Sequence, residues 1–125
     1  MARLVNILGE CSRLIDDHPP IEQPMRFGNK AFRTFHSALV AKAASWVGSI
    51  IAGESKVASS FVGESGVGAS HESRASEVSA REMMELAGYL VESFGNPTRI
   101  DYGTGHECCF VVLLMLLRDV SLRRP

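Results

Sequence analysis

The sequence has no excess of charge of either sign. Thirteen lysines and arginines stand against fourteen aspartates and glutamates, which gives a formal net charge of −1. Nucleic-acid binding needs a basic stripe or patch, so this balance predicts no nucleic-acid partner. Arg118, Arg123 and Arg124 make the C-terminus locally basic. We interpret these three charges as a solvated tail.

Long apolar runs are also missing. The longest, Cys108 to Leu117, is about half the roughly 20 residues that a membrane-spanning helix needs. Near the N-terminus, Asn6, Gly9 and Glu10 interrupt any signal-peptide core. We therefore predict a soluble cytoplasmic protein, with the nucleus as a second compartment and no membrane partner.

Cysteine is scarce, and its positions lack the spacing of a zinc or redox motif. Cys11 stands alone, whereas Cys108 and Cys109 are neighbours inside an apolar run. Three cysteines cannot all pair within one chain, and adjacent cysteines are not a C-x-x-C motif. We interpret all three as reduced core residues in a reducing compartment.

Helical periodicity, in contrast, is plentiful. Apolar residues at spacings of three and four predict four helices, over 4–15, 30–52, 79–94 and 106–120. No segment shows the alternation of a strand, so we predict an all-α fold. The predicted buried faces are Leu4, Ile7, Leu8, Cys11, Leu14 and Ile15 in the first helix, Phe32, Phe35, Leu39, Ala43, Trp46 and Ile50 in the second, and Met83, Leu86, Leu90 and Phe94 in the third.

The chain divides into three parts. Residues 1–52 form an N-terminal helical part, and residues 77–125 form a second helical part that begins with the capping box Ser79-x-x-Glu82. Residues 53–76 between them are rich in Ser and Gly and keep no apolar period. Such a segment buries too little apolar surface to offset its ordering entropy, so we predict a flexible insertion.

The last helix is apolar on every side between Cys108 and Leu117. A helix of this kind belongs in the middle of a core. Three other helices are too few to cover it, and the chain ends at Pro125. We therefore expect an incomplete fold, about four helices of a larger helical core, with one side of the last helix wet.

The segment Gly95 to Glu107 carries groups that suit phosphate. Gly103, Thr104 and Gly105 stand immediately before a predicted helix. Glycines there allow backbone N–H groups to turn toward an anion, and the helix N-terminus adds partial positive charge. Arg99 lies shortly upstream, and its planar fork suits phosphate or carboxylate. The alternative is a plain helix-to-helix turn, in which Asp101 caps backbone amides and Arg99 pairs with a surface carboxylate.

Metal and nucleophile chemistry find no support in the same region. His106 and Glu107 begin like a zincin motif, but position 110 is Phe, so the second histidine is missing and we predict no metal site. We expect His106 to start the helix and to donate a hydrogen bond to a neighbouring loop. No Ser or Cys has a base at a recognisable spacing.

A second dense segment runs from Pro19 to Phe35. Its prolines fix an extended approach, and Gly28-Asn29 turns the chain into the second helix. We interpret the segment as a loop locked onto the core, with Arg26 and Arg33 in structural ion pairs.

These two segments resemble the phosphotyrosyl phosphatase activator family. The family pattern G-N-x-T-R-I-D-Y-G-T-G-H-E occurs in full as Gly95 to Glu107, with Pro97 at the variable position. The pattern Q-P-x-R-F-G-N-x-A-F-R-x-W occurs as Gln23 to Phe35, with Phe35 where the family usually has Trp. The resemblance covers 4–52 and 78–118, which corresponds to the front part of a much longer family protein.

The resemblance implies an activator that binds the type-2A protein phosphatase catalytic subunit. It also implies ATP bound jointly with that subunit, with magnesium held by a protein ligand outside this chain. The ATP contacts of the family pattern correspond here to Arg99, Thr104 and Gly105.

A peptidyl-prolyl cis-trans isomerase acting on proline-containing segments is implied as well. We assign Asp101, Tyr102 and His106 to its groove as candidate catalytic residues. Two alternatives stay open: a truncated non-catalytic fragment that binds the phosphatase without activating it, and a product with no stable fold.

Overall fold

The computed structural model of the chain describes residues 2–24, 28–51 and 72–123. They form four helices: α1 (Ala2–Asp17), α2 (Ala31–Ile51), α3 (Glu72–Glu92) and α4 (Thr104–Leu122). The only β-bridge within these ranges joins Asn96 to Asp101. The described part of the chain is therefore all-α, as the sequence predicts. None of the helices it contains is long and apolar enough to cross a membrane.

The proline-containing corner between α1 and α2 is built around Asn29. Helix α1 ends at Asp17, two residues beyond its predicted end and two before Pro19. A residue that precedes a proline is disfavoured in the helical region, which explains the stop. The Asn29 Oδ1 then accepts hydrogen bonds from the backbone amides of Ile21 at 3.1 Å and Ala31 at 3.0 Å. Gly28 has a φ of 66°, which is the left-handed conformation that glycine favours. The predicted turn into α2 at Gly28-Asn29 is confirmed.

Helix α3 starts earlier than the sequence predicts. It begins at Glu72, so the helix start inferred from the capping box at Ser79 is wrong. Residues 72–79 include Glu, Arg and Ala, which propagate a helix without an apolar face. Residues 72–76 of the predicted insertion are therefore helical, and its remaining part, 53–71, lies outside the described residues. The flexibility of that part stays a prediction.

Helix α2 is the centre of the packing, since it contacts α1, α3 and α4. Its predicted face is confirmed at Phe35, Leu39 and Ala43, but farther along the helix Val47 and Ile51 are buried. Trp46 and Ile50 are only partly buried. The buried row thus follows steps of four residues, which is the ridge that most often packs between helices. The core comprises Ile7, Cys11, Leu14, Phe35, Leu39, Ala43, Val47, Ile51, Leu86, Ala87, Leu90, Leu113 and Leu117.

Helix α4 buries one side and exposes the other. Leu113 is 1% exposed and Leu117 is also buried, whereas Val111 and Met115 are 54% and 65% exposed. This confirms the expectation that the other three helices cannot cover α4 on every side. The outer face of α4, defined by Val111, Leu114 and Met115, is apolar and open to solvent.

The cysteines divide between the core and this exposed helix. All three are free thiols, and Cys11 is buried in α1 as predicted. Burial raises the pKa of its thiol to about 11, so Cys11 stays protonated and unreactive. Cys108 is exposed and Cys109 is half-buried. The assignment of Cys108 to the core is wrong, because its side of α4 has no partner among the described helices.

Candidate functional site: the loop before α4

The loop between α3 and α4 is organised by Asn96. Its side-chain Oδ1 accepts hydrogen bonds from the amides of Thr98 and Arg99, both at 2.9 Å. Its backbone amide donates to the Asp101 carbonyl at 3.0 Å, and its carbonyl accepts from Ile100 at 2.8 Å. The residue that caps the amides of this turn is thus Asn96, and the prediction of Asp101 in that role is wrong. An Asn directly before a Pro favours turn initiation, so the signal was present in the sequence.

Two residues in the loop adopt left-handed backbone conformations. Gly95 has a φ of 118°, and a Cβ added there would lie 2.7 Å from the Asp101 carbonyl oxygen. Ile100 has a φ of 55° although it carries a branched side chain. A non-glycine residue in this region costs roughly 1–3 kcal/mol and persists only where its surroundings hold it. The contacts around Ile100 must therefore offset that strain.

Those contacts come from Gly28, before α2, and from Arg33 in the first turn of α2. The segments 19–35 and 95–107 of the sequence therefore meet in space. Arg33 donates from Nε to the Pro97 carbonyl at 3.1 Å and from a terminal nitrogen to the Thr98 carbonyl at 3.2 Å. Gly28 lies against Ile100, because a Cβ added to Gly28 would be 3.0 Å from the Ile100 Cβ. The prediction that Arg33 forms an ion pair is wrong, since its fork binds backbone carbonyls. Arg26 lies outside the described residues.

Two of the predicted site residues form an ion pair with each other. The Arg99 Nε lies 3.0 Å from the Asp101 Oδ2, and their side chains are 68% and 49% exposed. Arg99 therefore pairs with a surface carboxylate, as the plain-turn alternative predicts. An exposed pair of this kind contributes little to stability, on the order of 0–1 kcal/mol. A ligand with a stronger negative charge can therefore displace the Asp101 carboxylate from Arg99.

Tyr102 and His106 form a second contacting pair. Their rings stack with centroids 5.6 Å apart and planes 25° apart, and Tyr102 is exposed. The His106 Nδ1 donates to the carbonyl of Glu92, the last residue of α3, at 2.6 Å. The predicted donation by His106 is confirmed, with the end of α3 rather than a loop as acceptor. This bond makes Nε2 the acceptor of the neutral ring.

The start of α4 offers open backbone amides. Gly103 is its N-cap in an extended conformation, without a side-chain hydrogen bond to the cap. Thr104 and Gly105 are exposed, and a Cβ on Gly103 or Gly105 would meet no atom within 4 Å. The first amides of a helix have no intrahelical partner and favour an anion. Glu107 lies in the same first turn and opposes that preference.

The six predicted site residues thus lie in one loop and the first turn of α4, but they do not all touch. Among the described residues, no hydrogen bond or ion pair joins Arg99 to Thr104 or Gly105. The groups present, which are a guanidinium, a hydroxyl and helix N-terminal amides, fit a polyphosphate. The described residues contain no cluster of three or more His, Cys, Asp or Glu side chains that could hold a metal ion.

One polar side chain near this region was not singled out by the sequence. His36 of α2 is buried, and its Nε2 has no hydrogen-bond partner among the described residues. Its ring lies 5.8 Å from that of Phe32. Burial is the larger effect and lowers the pKa of His36, whereas the negative charge of Glu92 acts in the opposite direction. The histidine therefore remains neutral inside the core.

Comparison with known proteins accounts for the two segments together. Residues 1–124 match the family described as phosphotyrosyl phosphate activator (PTPA) protein. The chain is 36% identical over 118 residues to the probable serine/threonine-protein phosphatase 2A activator 1 of Dictyostelium discoideum. The aligned residues cover 94% of this chain and 29% of that protein. It is 33% identical over 117 residues to the serine/threonine-protein phosphatase 2A activator of Drosophila melanogaster, with coverage of 94% and 23%.

A third relative gives the same result. The chain is 31% identical over 119 residues to the serine/threonine-protein phosphatase 2A activator 2 of Candida albicans, with coverage of 95% of this chain and 25% of the relative. The chain thus spans about a quarter of the length of the curated relatives it matches. The family match extends over nearly every residue and includes both segments that meet at Arg33. The chain belongs to the phosphotyrosyl phosphatase activator (PTPA) family.

Proposed function

We propose that this chain acts on type-2A serine/threonine protein phosphatase, as an activator that binds its catalytic subunit. The observation that carries the proposal is the family match over residues 1–124, together with relatives named as phosphatase 2A activators. The loop 95–107 is the surface through which we expect the chain to act, since Arg99 and residues 101–105 are exposed and Asn96 holds the turn by hydrogen bonds. Cytoplasm, with the nucleus as a second compartment, is the proposed location.

ATP is the proposed cofactor, bound jointly with the phosphatase. Arg99 would hold a phosphate by a charge-assisted contact, and Thr104 and Gly105 would add the hydroxyl and amide donors at the start of α4. Bound MgATP would supply a dense negative charge between the two proteins, with its magnesium ligand on a residue outside this chain. For Arg99 to serve this role, it must leave Asp101, which costs little because the pair is exposed.

Peptidyl-prolyl isomerisation is the proposed catalytic activity. The barrier to rotation about an X–Pro bond comes from amide resonance and is roughly 18–20 kcal/mol. No nucleophile is needed, because a site that binds the twisted amide more tightly than the planar one lowers the barrier. The stacked rings of Tyr102 and His106 offer a flat apolar surface for a proline ring, and Asp101 lies beside them in sequence.

A non-catalytic phosphatase-binding fragment is the second candidate function. It is favoured by the apolar outer face of α4, since an exposed apolar face offers a partner a contact surface that needs no catalytic group. The two candidates share the same partner and differ in whether binding changes phosphatase activity.

Capture of the type-2A catalytic subunit by this chain, followed by a phosphatase assay and a prolyl isomerisation assay, separates these functions. Capture with a rise in phosphatase activity supports the activator. Capture without such a rise supports the fragment, and no capture with or without MgATP contradicts both. Tyr102→Ala should lower kcat/KM for prolyl isomerisation without changing capture. An unchanged kcat/KM would remove Tyr102 from the groove.

A further inference from the structure

Within the described part of the chain, Arg33 is the one residue of α2 whose side chain hydrogen-bonds to the backbone of the loop before α4. Its guanidinium spans two successive carbonyls, those of Pro97 and Thr98, at 3.1 Å and 3.2 Å. The amides of Thr98 and Arg99 are held from the other side by the Asn96 Oδ1. The backbone of this turn is therefore fixed through its carbonyls and its amides at once.

The conformation that these bonds hold is a strained one. Ile100 is left-handed with a φ of 55°, and Gly28 packs so closely that an added Cβ would lie 3.2 Å from the Ile100 carbonyl oxygen. A chain released from these contacts would leave that region, since a branched residue is disfavoured there. Arg99 belongs to the same turn, since its backbone amide donates to the Asn96 Oδ1 and it directly precedes Ile100. Its side chain therefore extends from backbone that these bonds hold.

We infer that Arg33 is a positioning residue, which holds the 97–100 turn in its strained form and so fixes the backbone from which Arg99 reaches a phosphate once it has left Asp101. This inference rests on the proposed ATP role of Arg99. Arg33 itself does not contact the phosphate, because its Nε and one terminal nitrogen already donate to the Pro97 and Thr98 carbonyls. Holding the turn in one conformation before binding raises the affinity for the ligand, because the turn then loses its conformational entropy on folding and not on binding.

The chain contains a matched control for removing Arg33. Arg3 of α1 also donates across a helix boundary to a backbone carbonyl, that of Ser49, at 2.8 Å. Arg3→Ala therefore removes one cation and a long-range hydrogen bond, but far from the loop. Arg33→Lys adds a second comparison, because a lysine keeps the positive charge without the planar fork.

The test measures MgATP affinity of the full chain in complex with the type-2A catalytic subunit, and amide hydrogen exchange of the free chain. Arg33→Ala should weaken MgATP binding about tenfold and speed exchange at Thr98, Arg99 and Ile100. Arg33→Lys should recover little of either effect, and Arg3→Ala should change neither by more than about twofold.

The outcomes separate this inference from the proposed function. If the parent complex does not bind MgATP, the proposed nucleotide role fails, and the ligand part of the inference fails with it. If the parent binds and Arg33→Ala matches Arg3→Ala in affinity, the inference is overturned. Faster exchange at Thr98, Arg99 and Ile100 would then make Arg33 a purely structural residue, and unchanged exchange would mean that it does not hold the turn. Full recovery of affinity by Arg33→Lys would mean that Arg33 acts through its charge, which also contradicts positioning.

Discussion

The corner where Gly28 and Arg33 meet the loop 95–101 differs in kind from the outer face of α4. In the corner, Arg33 donates hydrogen bonds to the carbonyls of Pro97 and Thr98, which are far away in sequence. Next to them, Ile100 is held in a strained left-handed conformation. On the outer face of α4, large apolar side chains such as Met115 lie in water. We therefore expect single substitutions in the corner to lower the stability of the fold, and substitutions on the outer face of α4 to have little effect on it.

The largest expected effect separates the two sides of α4 itself. Leu113→Ala should lower the free energy of unfolding by about 2–5 kcal/mol, because Leu113 is 1% exposed and its removal leaves a cavity. Met115→Ala, two residues along the same helix, should change it by less than about 0.5 kcal/mol. Urea denaturation followed by circular dichroism measures both. Equal losses would mean that the outer face is covered in solution.

A second prediction breaks the corner through its backbone. Gly95→Ala should destabilise the chain by about 3 kcal/mol, because the new Cβ would approach the Asp101 carbonyl to 2.7 Å at a φ of 118°. Gly88→Ala is the control, since its Cβ would meet nothing within 4 Å inside α3. That change should stabilise the chain by roughly 0.5–1 kcal/mol through helix propensity. Thermal melts that shift in the same direction for both variants would contradict the loop geometry.

The smallest expected effect concerns the buried histidine under the corner. Burial lowers the pKa of His36 below its ordinary value of 6.5. The unfolded chain therefore binds more protons than the folded chain below that value, and stability should fall as the pH drops below about 6.5. One group can contribute no more than about 1.4 kcal/mol per pH unit. The measurement is the free energy of unfolding between pH 8 and pH 5 for the parent and His36→Phe. If the two curves run parallel, His36 does not titrate with folding.

The sequence predicted the helices well because periodicity is a local property. The four segments, the end of α1 shortly before Pro19 and the turn at Gly28-Asn29 follow from neighbouring residues. The start of α3 was missed, because a Ser-x-x-Glu spacing is compatible with a helix interior as well as with a capping box. The buried end of α2, Val47 and Ile51, depends on which helices pack beside it, and no local pattern contains that information.

The sequence predicted which residues lie together in the candidate site better than it predicted the hydrogen bonds that hold them there. The six chosen residues do fall in one loop and the first turn of α4, since they are close in sequence. The sequence could not show that Arg33 binds carbonyls of residues 97 and 98, because that contact depends on tertiary packing. Nor could it choose between Asn96 and Asp101 as the capping residue without using the proline that follows Asn96. His36 carried no signal, since a histidine within an apolar row can lie inside or outside.

We propose that the loop before α4 receives ATP through Arg99 when the chain is bound to the type-2A catalytic subunit. Its most direct test is the affinity of this complex for MgATP, measured for the parent, Arg99→Ala and, as a control, Arg13→Ala, which removes an exposed arginine paired with Glu10. Loss of a charge-assisted contact should weaken binding about tenfold in Arg99→Ala, whereas Arg13→Ala should match the parent. MgATP binding by Arg99→Ala at the parental affinity would contradict the claim.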